Sequence, residues 1–237
     1  MIEYSDKYTE FFNESCLMGP NSIRLLDELL KKHPIHLERD NTILDLGCGT
    51  GLTSLFLANE VGATVYANDL WIKAEDNFKR FTEWKVQDFV IPSCEDANNL
   101  SFEPESFDAV FSVDSYHYFA GKEGFFQEKI LPYVKKGGSV LIAIPGVKDK
   151  FEGQQKELLK DWLGEESDLL HSCSWWKQII GKNDEMASVD IWEMENFDLA
   201  WDSWLSVNNE YAIGDKAHYD SVIRKYTNFV GIVVKKT

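Results

Sequence analysis

Hydrophobic and polar positions alternate between two kinds of segment along the first 146 residues of this chain. Short apolar runs, such as TILDL at 42–46 and SVLIAIPG at 139–146, are typical of strands that are buried on both faces. Longer runs, such as NSIRLLDELLKKH at 21–33, repeat apolar residues at helical spacing and predict amphipathic helices. The alternation of strand and helix predicts a parallel sheet with helices on both faces.

Local signals mark the ends of several predicted elements. Asn21 is a typical N-cap, and Pro34 closes the helix that follows it. Gly62 is expected to end the helix of LTSLFLANEV, and the double glycine of GFFQEKILPYVKKGG is expected to end another. Pro92 interrupts the third predicted strand and weakens it.

Residues 147–226 break this alternation. They are rich in Trp and charge, and helical spacing predominates, with a possible strand at 189–192. The terminal NFVGIVVKK predicts one more strand. Because no Pro-, Gly- or Ser-rich linker marks a boundary, we predict a single domain. Its predicted parts are an N-terminal helical or lid segment (1–40), a cofactor-binding core (41–146), a substrate-cap insertion (147–226) and the last strand (227–237).

Composition excludes several classes of protein. The chain has 237 residues, of which 44% are hydrophobic, so it can form a sizeable core. A formal net charge of −16 disfavours nucleic acid as a partner. The four cysteines form no CxxC pair or zinc spacing, so we expect free thiols and no metal. No run approaches the ~20 apolar residues of a membrane span, and the N-terminus lacks a signal-peptide pattern. We therefore expect a cytoplasmic protein.

Three glycines alternate in TILDLGCGTGL, between a predicted strand and a predicted helix. Gly47, Gly49 and Gly51 would let a ligand approach the backbone at the carboxyl end of the strand. Their spacing does not match the dinucleotide pattern G-x-G-x-x-G, and Leu52 stands where a P-loop needs Lys. Asp69 lies 20 residues beyond Gly49, a spacing that suits a ribose-binding acid at the end of the next strand.

ILDLGCGTG closely resembles the first motif of the class I S-adenosylmethionine-dependent methyltransferases. Four later segments resemble their motifs in the same order: VYANDL, CEDANNLSF, SFDAVFSVDSYHYF and LPYVKKGGSVLIAI. The resemblance covers residues 42–144 or so. It implies a Rossmann-like, doubly wound, mostly parallel seven-stranded sheet, with a helical insertion before an antiparallel last strand.

The resemblance also implies S-adenosylmethionine as the cofactor. Asp69 would accept hydrogen bonds from both ribose hydroxyls, Asp45 would help to anchor the methionine end, and Asp96 would accept from the adenine amino group. Leu70 would flank the adenine, and Ser112 or Val113 would meet the amino-acid portion through the backbone. The residues predicted to bind the cofactor are Asp45, Gly47, Cys48, Gly49, Gly51, Asp69, Leu70, Asp96, Ala97, Ser112 and Val113.

Methyl transfer mainly requires that the nucleophile, the methyl carbon and the sulfur lie in line. A base is needed only when the nucleophile binds in its protonated form. His117 follows the fourth predicted strand and is the candidate catalytic base; the alternative is a packed or solvent-facing histidine. Asp114 and Tyr116, beside it, are candidate substrate-binding residues.

The remaining candidates for substrate binding are aromatic. Tyr4 and Tyr8 lie in a segment that would fold over the site as a lid, unless they only pack the first helix onto the sheet. Trp175 lies in the predicted cap, whereas Trp201 and Trp204 fit an ordinary helix core. Aromatic residues with net negative charge suit a cation, so we hypothesise that the acceptor is a small amine or another compact metabolite that the cap encloses.

The sequence therefore predicts a methyltransferase that uses S-adenosylmethionine and acts on a small molecule. A non-catalytic protein that binds the cofactor is the alternative, because no obligatory base defines activity. A nicotinamide-dependent oxidoreductase is disfavoured by the missing fingerprint. The net charge also argues against relatives that modify membrane lipids. The acceptor atom and the oligomeric state stay open.

Overall fold

The computed structural model describes residues 4–237, which contain a seven-stranded sheet of order β3-β2-β1-β4-β5-β7-β6. Strands β1 to β5 pair in parallel, and β7 runs antiparallel to both of its neighbours, β5 and β6. The predicted α/β class, with an antiparallel last strand after the insertion, is confirmed. The strands are β1 (Thr42–Leu46), β2 (Thr64–Asn68), β3 (Val90–Ser93), β4 (Phe107–Val113), β5 (Val134–Val147), β6 (Met186–Glu193) and β7 (Thr227–Lys236).

Helices connect these strands and fill most of the insertion. The α-helices are α1 (Ser22–Lys32), α2 (Leu52–Phe56), α3 (Ala74–Glu83), α4 (Gln155–Leu158), α5 (Lys160–Leu163), α6 (Cys173–Ile180), α7 (Phe197–Leu205), α8 (Glu210–His218) and α9 (Arg224–Tyr226). Turns of 3₁₀-helix occupy Tyr4–Phe11, Tyr116–Tyr118, Leu131–Tyr133, Asp149–Phe151 and Gly164–Leu169. Turns of π-helix occupy Leu57–Val61, Phe126–Ile130 and Tyr219–Ile223. In the part of the chain that the structure describes, none of the helices has the length and apolar character needed to cross a bilayer.

Two hydrophobic cores lie on opposite faces of the sheet. Ile43 points into a core that includes residues of α1, α2, α3 and α7. Leu44, the next residue of β1, points into the second core with Phe126 and Trp176. Successive side chains of a strand face opposite ways, so strands that are apolar throughout bury both faces. Covering both faces leaves the ends of the strands as the place where a ligand can approach.

Several predicted boundaries are confirmed. The Asn21 side chain accepts from the backbone N–H groups of Ile23 and Arg24 and caps α1. Gly62, with φ of 85°, ends the helical stretch that begins with α2. Pro92 lies in β3, an edge strand, where a missing N–H is tolerated. The possible strand at 189–192 is β6, the edge strand beyond β7.

The helix predicted for GFFQEKILPYVKKGG is shorter than expected. It ends in the 3₁₀ turn Leu131–Tyr133, whose second residue is a proline that disfavours continuing the helix. β5 already begins at Val134, so the double glycine lies within the strand. There the pairing with β4 shifts register, and a Cβ at Gly138 would come within 2.7 Å of the carbonyl oxygen of Asp108. The glycine is required by this close approach, and it does not stop the helix.

Candidate active site

A cavity of about 370 Å³ lies at the carboxyl ends of β1, β2 and β4. Its volume is within the ~300–1,000 Å³ of small-molecule sites, and its place is the switch point where β1 neighbours β4. The glycine loop after β1, the start of the segment after β2, and the segments after β3 and β4 form its walls. Residues 16–20, which precede α1, complete it.

The three glycines of the loop all have left-handed backbone, with φ of 76° at Gly47, 55° at Gly49 and 84° at Gly51. A Cβ at Gly47 would overlap Ser115, and a Cβ at Gly51 would overlap the ring of Phe81. Protein packing and backbone conformation therefore require glycine at these positions. Gly47, Cys48 and Gly49 line the cavity. Gly51 lies behind it, because its bare face packs against α3 and is closed to a ligand.

Asp69 joins the end of β2 to the glycine loop. Its Oδ2 accepts the backbone N–H of Gly49 at 2.8 Å, and its Oδ1 accepts those of Trp71 at 2.8 Å and Ile72 at 2.9 Å. A carboxylate offers about four acceptor sites, so three bonds leave about one for a ligand. Asp69 lines the cavity, but its remaining capacity suits one ribose hydroxyl better than the predicted two.

Asp45 lies beneath the cavity wall. It is fully buried, and its Oδ2 accepts from the hydroxyls of Thr53 and Ser54, both at 2.6 Å. Burial raises the pKa of Asp45 to about 6, although these two hydrogen bonds lower it. Its Oδ1 has no hydrogen-bond partner among residues 4–237. Thr53 lines the cavity and Asp45 does not. Asp45 can therefore act on a ligand only indirectly, through the position of Thr53 or through its charge.

The segment after β3 forms the side of the cavity that we predicted for adenine. Asp96 and Ala97 of this segment line the cavity, and so does Leu70, which follows β2. Asp96 accepts from the backbone N–H and the side-chain amide of Asn98, both at 2.8 Å and both on Oδ1. The backbone bond, and then the side-chain bond, lower the pKa of Asp96, so it is ionised at neutral pH. Its Oδ2 makes no hydrogen bond within the described residues, which leaves an acceptor on this wall.

Asp114 follows β4 and lines the cavity together with Val113. It has left-handed backbone, with φ of 56°, and its N–H donates to the carbonyl oxygen of Ala143 at 2.7 Å. Burial, and then the charge of Asp215, raise the pKa of Asp114 to about 7. Ser112 does not line the cavity, and its hydroxyl donates to the carbonyl oxygen of Leu46 at 2.8 Å.

His117 does not line the cavity. It is 4% exposed, and burial lowers its pKa to about 3, so the imidazole is neutral and weakly basic. Tyr116 also lies away from the cavity, in the second core, with its ring 5.7 Å from that of Trp176. The packed-histidine alternative therefore describes His117, and neither residue has the position expected of a substrate contact. Tyr118, one residue on, does line the cavity.

Of the two predicted lid tyrosines, Tyr8 is buried and packs onto the fold. Its hydroxyl donates to Glu60 at 2.9 Å, and its ring lies 5.1 Å from that of Phe56. The side chain of Tyr4 lies outside the described residues. Residues 16–20 do line the cavity, and Met18 Sδ would be 3.0 Å from a Cβ at Gly49.

None of the described residues of the 147–226 insertion lines the cavity. Trp175 stacks on His171, with ring centroids 3.6 Å apart. Trp201 and Trp204 are buried in the core, as the helical spacing predicted. Two acids of the insertion act on the site through their charge: Asp215 on Asp114, and Glu166 on Tyr118.

Sequence reasoning missed several residues that line the cavity. The sequence pattern does not predict these residues as part of the site, although each is next to or near a predicted site residue. They are Trp71, Ser115, Tyr118 and Phe119. The motif marks which loops reach the site, but the turn after β4 decides which side chains point inward. Within residues 4–237, no group of three or more His, Cys, Asp or Glu side chains is arranged to hold a metal ion.

Comparison with known sequences points to one family. A family model described as a methyltransferase domain matches residues 44–142. The 2-methyl-6-phytyl-1,4-hydroquinone methyltransferase of Synechocystis is 36% identical over 103 residues, which are 43% of this chain and 31% of that protein. A sterol 24-C-methyltransferase of Clavispora lusitaniae is 26% identical over 128 residues, 53% of this chain and 33% of that protein. The match thus spans about a third of the length of these curated relatives.

Solved structures share the fold at low identity. Geranyl diphosphate C-methyltransferase from Streptomyces coelicolor, in complex with Mg²⁺, geranyl diphosphate and S-adenosylhomocysteine, has a TM-score of 0.70 and 14% identity, covering 100% of this chain and 99% of that one. Phosphoethanolamine N-methyltransferase 2 from Haemonchus contortus, in complex with S-adenosylmethionine, has a TM-score of 0.75 and 20% identity, covering 100% of this chain and 60% of that one. Residues 44–142 thus match a methyltransferase domain, and the chain shares the fold of these solved methyltransferases.

Proposed function

We propose that this chain transfers a methyl group from S-adenosylmethionine to a small organic acceptor. The observation that carries the proposal is the hydrogen bond from the Gly49 N–H to Asp69, which makes the glycine loop and the acid after β2 one unit facing the cavity. Relatives named as methyltransferases, and neighbours crystallised with S-adenosylmethionine or S-adenosylhomocysteine, support it.

The chemistry of the walls fits this cofactor. Asp69 has a free acceptor site for a ribose hydroxyl, and Asp96 has a free Oδ2 for the adenine amino group. The exposed side chain of Leu70 can cover one face of the adenine. Gly47, Cys48 and Gly49 would lie along the methionine and ribose portion, and Val113 would flank its amino-acid end. Several carboxylates around the cavity favour the positive sulfur.

S-adenosylmethionine, when bound, supplies a methyl carbon on a positively charged sulfur, open to attack in line with the carbon–sulfur bond. The chain's contribution is to hold, align and dehydrate the reactants. Alignment alone supplies up to ~7–11 kcal/mol in favourable cases. Residues 16–20 help to exclude water, because the Thr50 hydroxyl donates to the Cys16 carbonyl at 2.6 Å and holds this segment over the loop.

Calorimetric titration with S-adenosylhomocysteine, followed by transfer of labelled methyl from S-adenosylmethionine to a panel of small acceptors, tests the proposal. We expect binding to the full chain, and label in at least one acceptor. Absence of heat with S-adenosylhomocysteine would overturn the cofactor assignment. Binding without transfer to any acceptor would instead identify a non-catalytic binding protein.

A further inference from the structure

The described residues that line the cavity include four carboxylates and no Lys, Arg or His. The acids are Asp69, Glu95, Asp96 and Asp114. An acceptor carrying phosphate or carboxylate would lose its hydration here without meeting a cation. A cationic or basic acceptor would meet the opposite charge. The electrostatics of the site therefore separate acceptor classes, although the fold alone does not.

Three of these acids are already engaged by the protein. Asp69 accepts three backbone N–H groups, and Asp96 accepts twice from Asn98. Glu95 accepts from the backbone N–H and the hydroxyl of Ser101, both at 2.7 Å. The Asp114 carboxylate accepts no hydrogen bond from the described residues. The proposed cofactor would use the acceptor sites that remain on Asp69 and Asp96. Asp114 is thus the acid of the cavity whose carboxylate is left entirely for the methyl acceptor.

The position of Asp114 suits contact with an enclosed molecule. The bond from its N–H to Ala143 fixes the turn at the end of β4. Gly19 lies beside it, since a Cβ there would lie 2.7 Å from Asp114 Oδ2. Asp114 and residues 16–20 therefore line the same side of the cavity.

Aromatic side chains surround the same space. Trp71, Tyr118 and Phe119 line the cavity with Asp114, and the rings of Trp71 and Tyr118 lie 5.3 Å apart, edge to face. Aromatic faces attract cations, and Trp71 and Tyr118, which are 67% and 43% exposed, offer the attraction of solvent-exposed rings. Aromatic rings and an unpaired carboxylate together form the kind of surface that binds an ammonium group.

We propose that the acceptor is an amine whose nitrogen binds at Asp114, and that this carboxylate takes the proton that the nitrogen must lose. The inference rests on the proposed function. An ammonium N–H passes its proton to an Asp114 oxygen, which frees the nitrogen lone pair. That pair forms the new N–C bond, while the methyl C–S bond breaks and its electrons stay on sulfur. The product leaves as a methylated ammonium, and Asp114 releases its proton to solvent.

The surroundings of Asp114 poise it for this exchange near neutral pH. Burial and the negative charge of Asp215, from α8, raise its pKa to about 7. Asp114 also interacts through its charge with Tyr118, which lines the same cavity. Burial, and then the charges of Asp114 and Glu166, raise the pKa of Tyr118 to about 12. Because a base must be ionised to accept a proton, activity should rise with pH through this range.

Matched sets of ligands test the inference. Each set has one carbon skeleton (butyl, benzyl or 2-phenylethyl) as its primary amine, N-methylamine, alcohol, carboxylate and phosphate monoester. Binding is measured on the full chain saturated with S-adenosylhomocysteine, and transfer with labelled S-adenosylmethionine. We expect each amine to bind at least tenfold more tightly than the alcohol, carboxylate and phosphate ester of the same carbon skeleton. We expect labelled methyl to appear only in the amines. Preference for any other class, or no preference for amines, overturns the inference.

Variants separate this inference from the cofactor assignment. Asp114→Asn should lower kcat/KM for the amine at least 100-fold and remove the acidic limb near pH 7, with S-adenosylhomocysteine affinity changed less than threefold. Asn tolerates left-handed backbone, so the turn is retained. Asp161→Asn, at an exposed acid of α5, is the matched control and should behave as wild type. An unchanged pH profile in Asp114→Asn overturns the inference, whereas failure of the wild type to bind S-adenosylhomocysteine overturns the proposed function itself.

Discussion

Asp69 accepts the backbone N–H of Gly49 at 2.8 Å, so one carboxylate joins the loop after β1 to the loop after β2. Its second oxygen holds the N–H groups of Trp71 and Ile72, and the residue is 7% exposed. Hydrogen bonds to an ionised acceptor are stronger than neutral ones. The acid expected to bind ribose is therefore also the residue that shapes the cavity before a ligand arrives.

Asp69→Ala should weaken both binding and folding. Three backbone N–H groups lose their acceptor, and an unsatisfied buried donor costs about 1–3 kcal/mol. The loop can relax so that water satisfies some of these N–H groups, which makes the loss smaller than the sum of the three. We therefore expect the free energy of unfolding to fall by about 2–4 kcal/mol. Affinity for S-adenosylhomocysteine should fall at least tenfold. Urea unfolding and calorimetric titration measure the two effects.

The control for this substitution is Asp88→Asn, at an exposed acid outside the cavity. It should leave both quantities unchanged. Asp69→Asn should be intermediate, because its single oxygen can accept on one side only. Wild-type affinity in Asp69→Ala would contradict the assignment of Asp69 to the cofactor.

Gly51→Ala should destabilise the fold more than Gly137→Ala. Both positions have positive φ, 84° and 73°, so both substitutions incur the cost of a left-handed L residue, about 1–2 kcal/mol. A Cβ at Gly51 also overlaps Phe81, whereas nothing lies within 4 Å of one at Gly137. We expect an additional loss of about 1–3 kcal/mol at Gly51.

Phe81→Leu in the Gly51→Ala background tests the cause of that difference. A smaller side chain relieves the overlap, so the double variant should lose less than the two single variants added together. Strictly additive losses in chemical denaturation would mean that Phe81 is not the obstacle.

The sequence could predict the strands and the cofactor side of the site because both depend on local pattern. Alternating strand and helix sets the parallel sheet, and the motif order sets which loops meet at its edge. Asp69 could be placed by its distance from Gly49 together with its position at the end of the predicted second strand in the motif order, since a βαβ unit fixes where that strand ends.

Side-chain direction after β4 could not be predicted in the same way. The positive φ of Asp114 and the 3₁₀ turn that follows direct Tyr118 toward the cavity and bury His117. No periodicity in DSYHYF encodes this turn. The position of Trp175 likewise depends on how the insertion packs, since its ring stacks on His171, away from the cavity.

Asp215→Asn should loosen the insertion and change the titration of Asp114. The Asp215 carboxylate accepts from the indole N–H groups of Trp162 at 2.6 Å and Trp204 at 2.7 Å. The amide of Asn has only one acceptor oxygen, so its NH₂ group would face one of the two indoles. The hydrogen bond to that indole is then lost, which should lower the free energy of unfolding by about 1–3 kcal/mol. Removing the negative charge should also lower the pKa of Asp114. Thermal unfolding followed by tryptophan fluorescence measures the first effect.

The second effect of Asp215→Asn is read from the acidic limb of the pH–rate profile, which should move to lower pH. Asp202→Asn, at an exposed acid of α7, supplies the comparison and should leave the limb in place. If Asp215→Asn leaves the limb where it is in the wild type, the two carboxylates are not coupled.

Asp114→Asn should raise the thermal midpoint of unfolding at pH 8 but not at pH 3.5. The folded-state pKa of Asp114 is about 7, against about 3.8 for an exposed Asp, so the folded state holds this proton more tightly than the unfolded chain. Stability that this residue provides is therefore present below about pH 4 and is lost as pH rises toward 7. Asn cannot ionise, so the variant avoids that loss. Scanning calorimetry of both proteins, with Asp161→Asn as control, checks the sign: equal midpoints at pH 8 would mean that Asp114 ionises without penalty and is open to water.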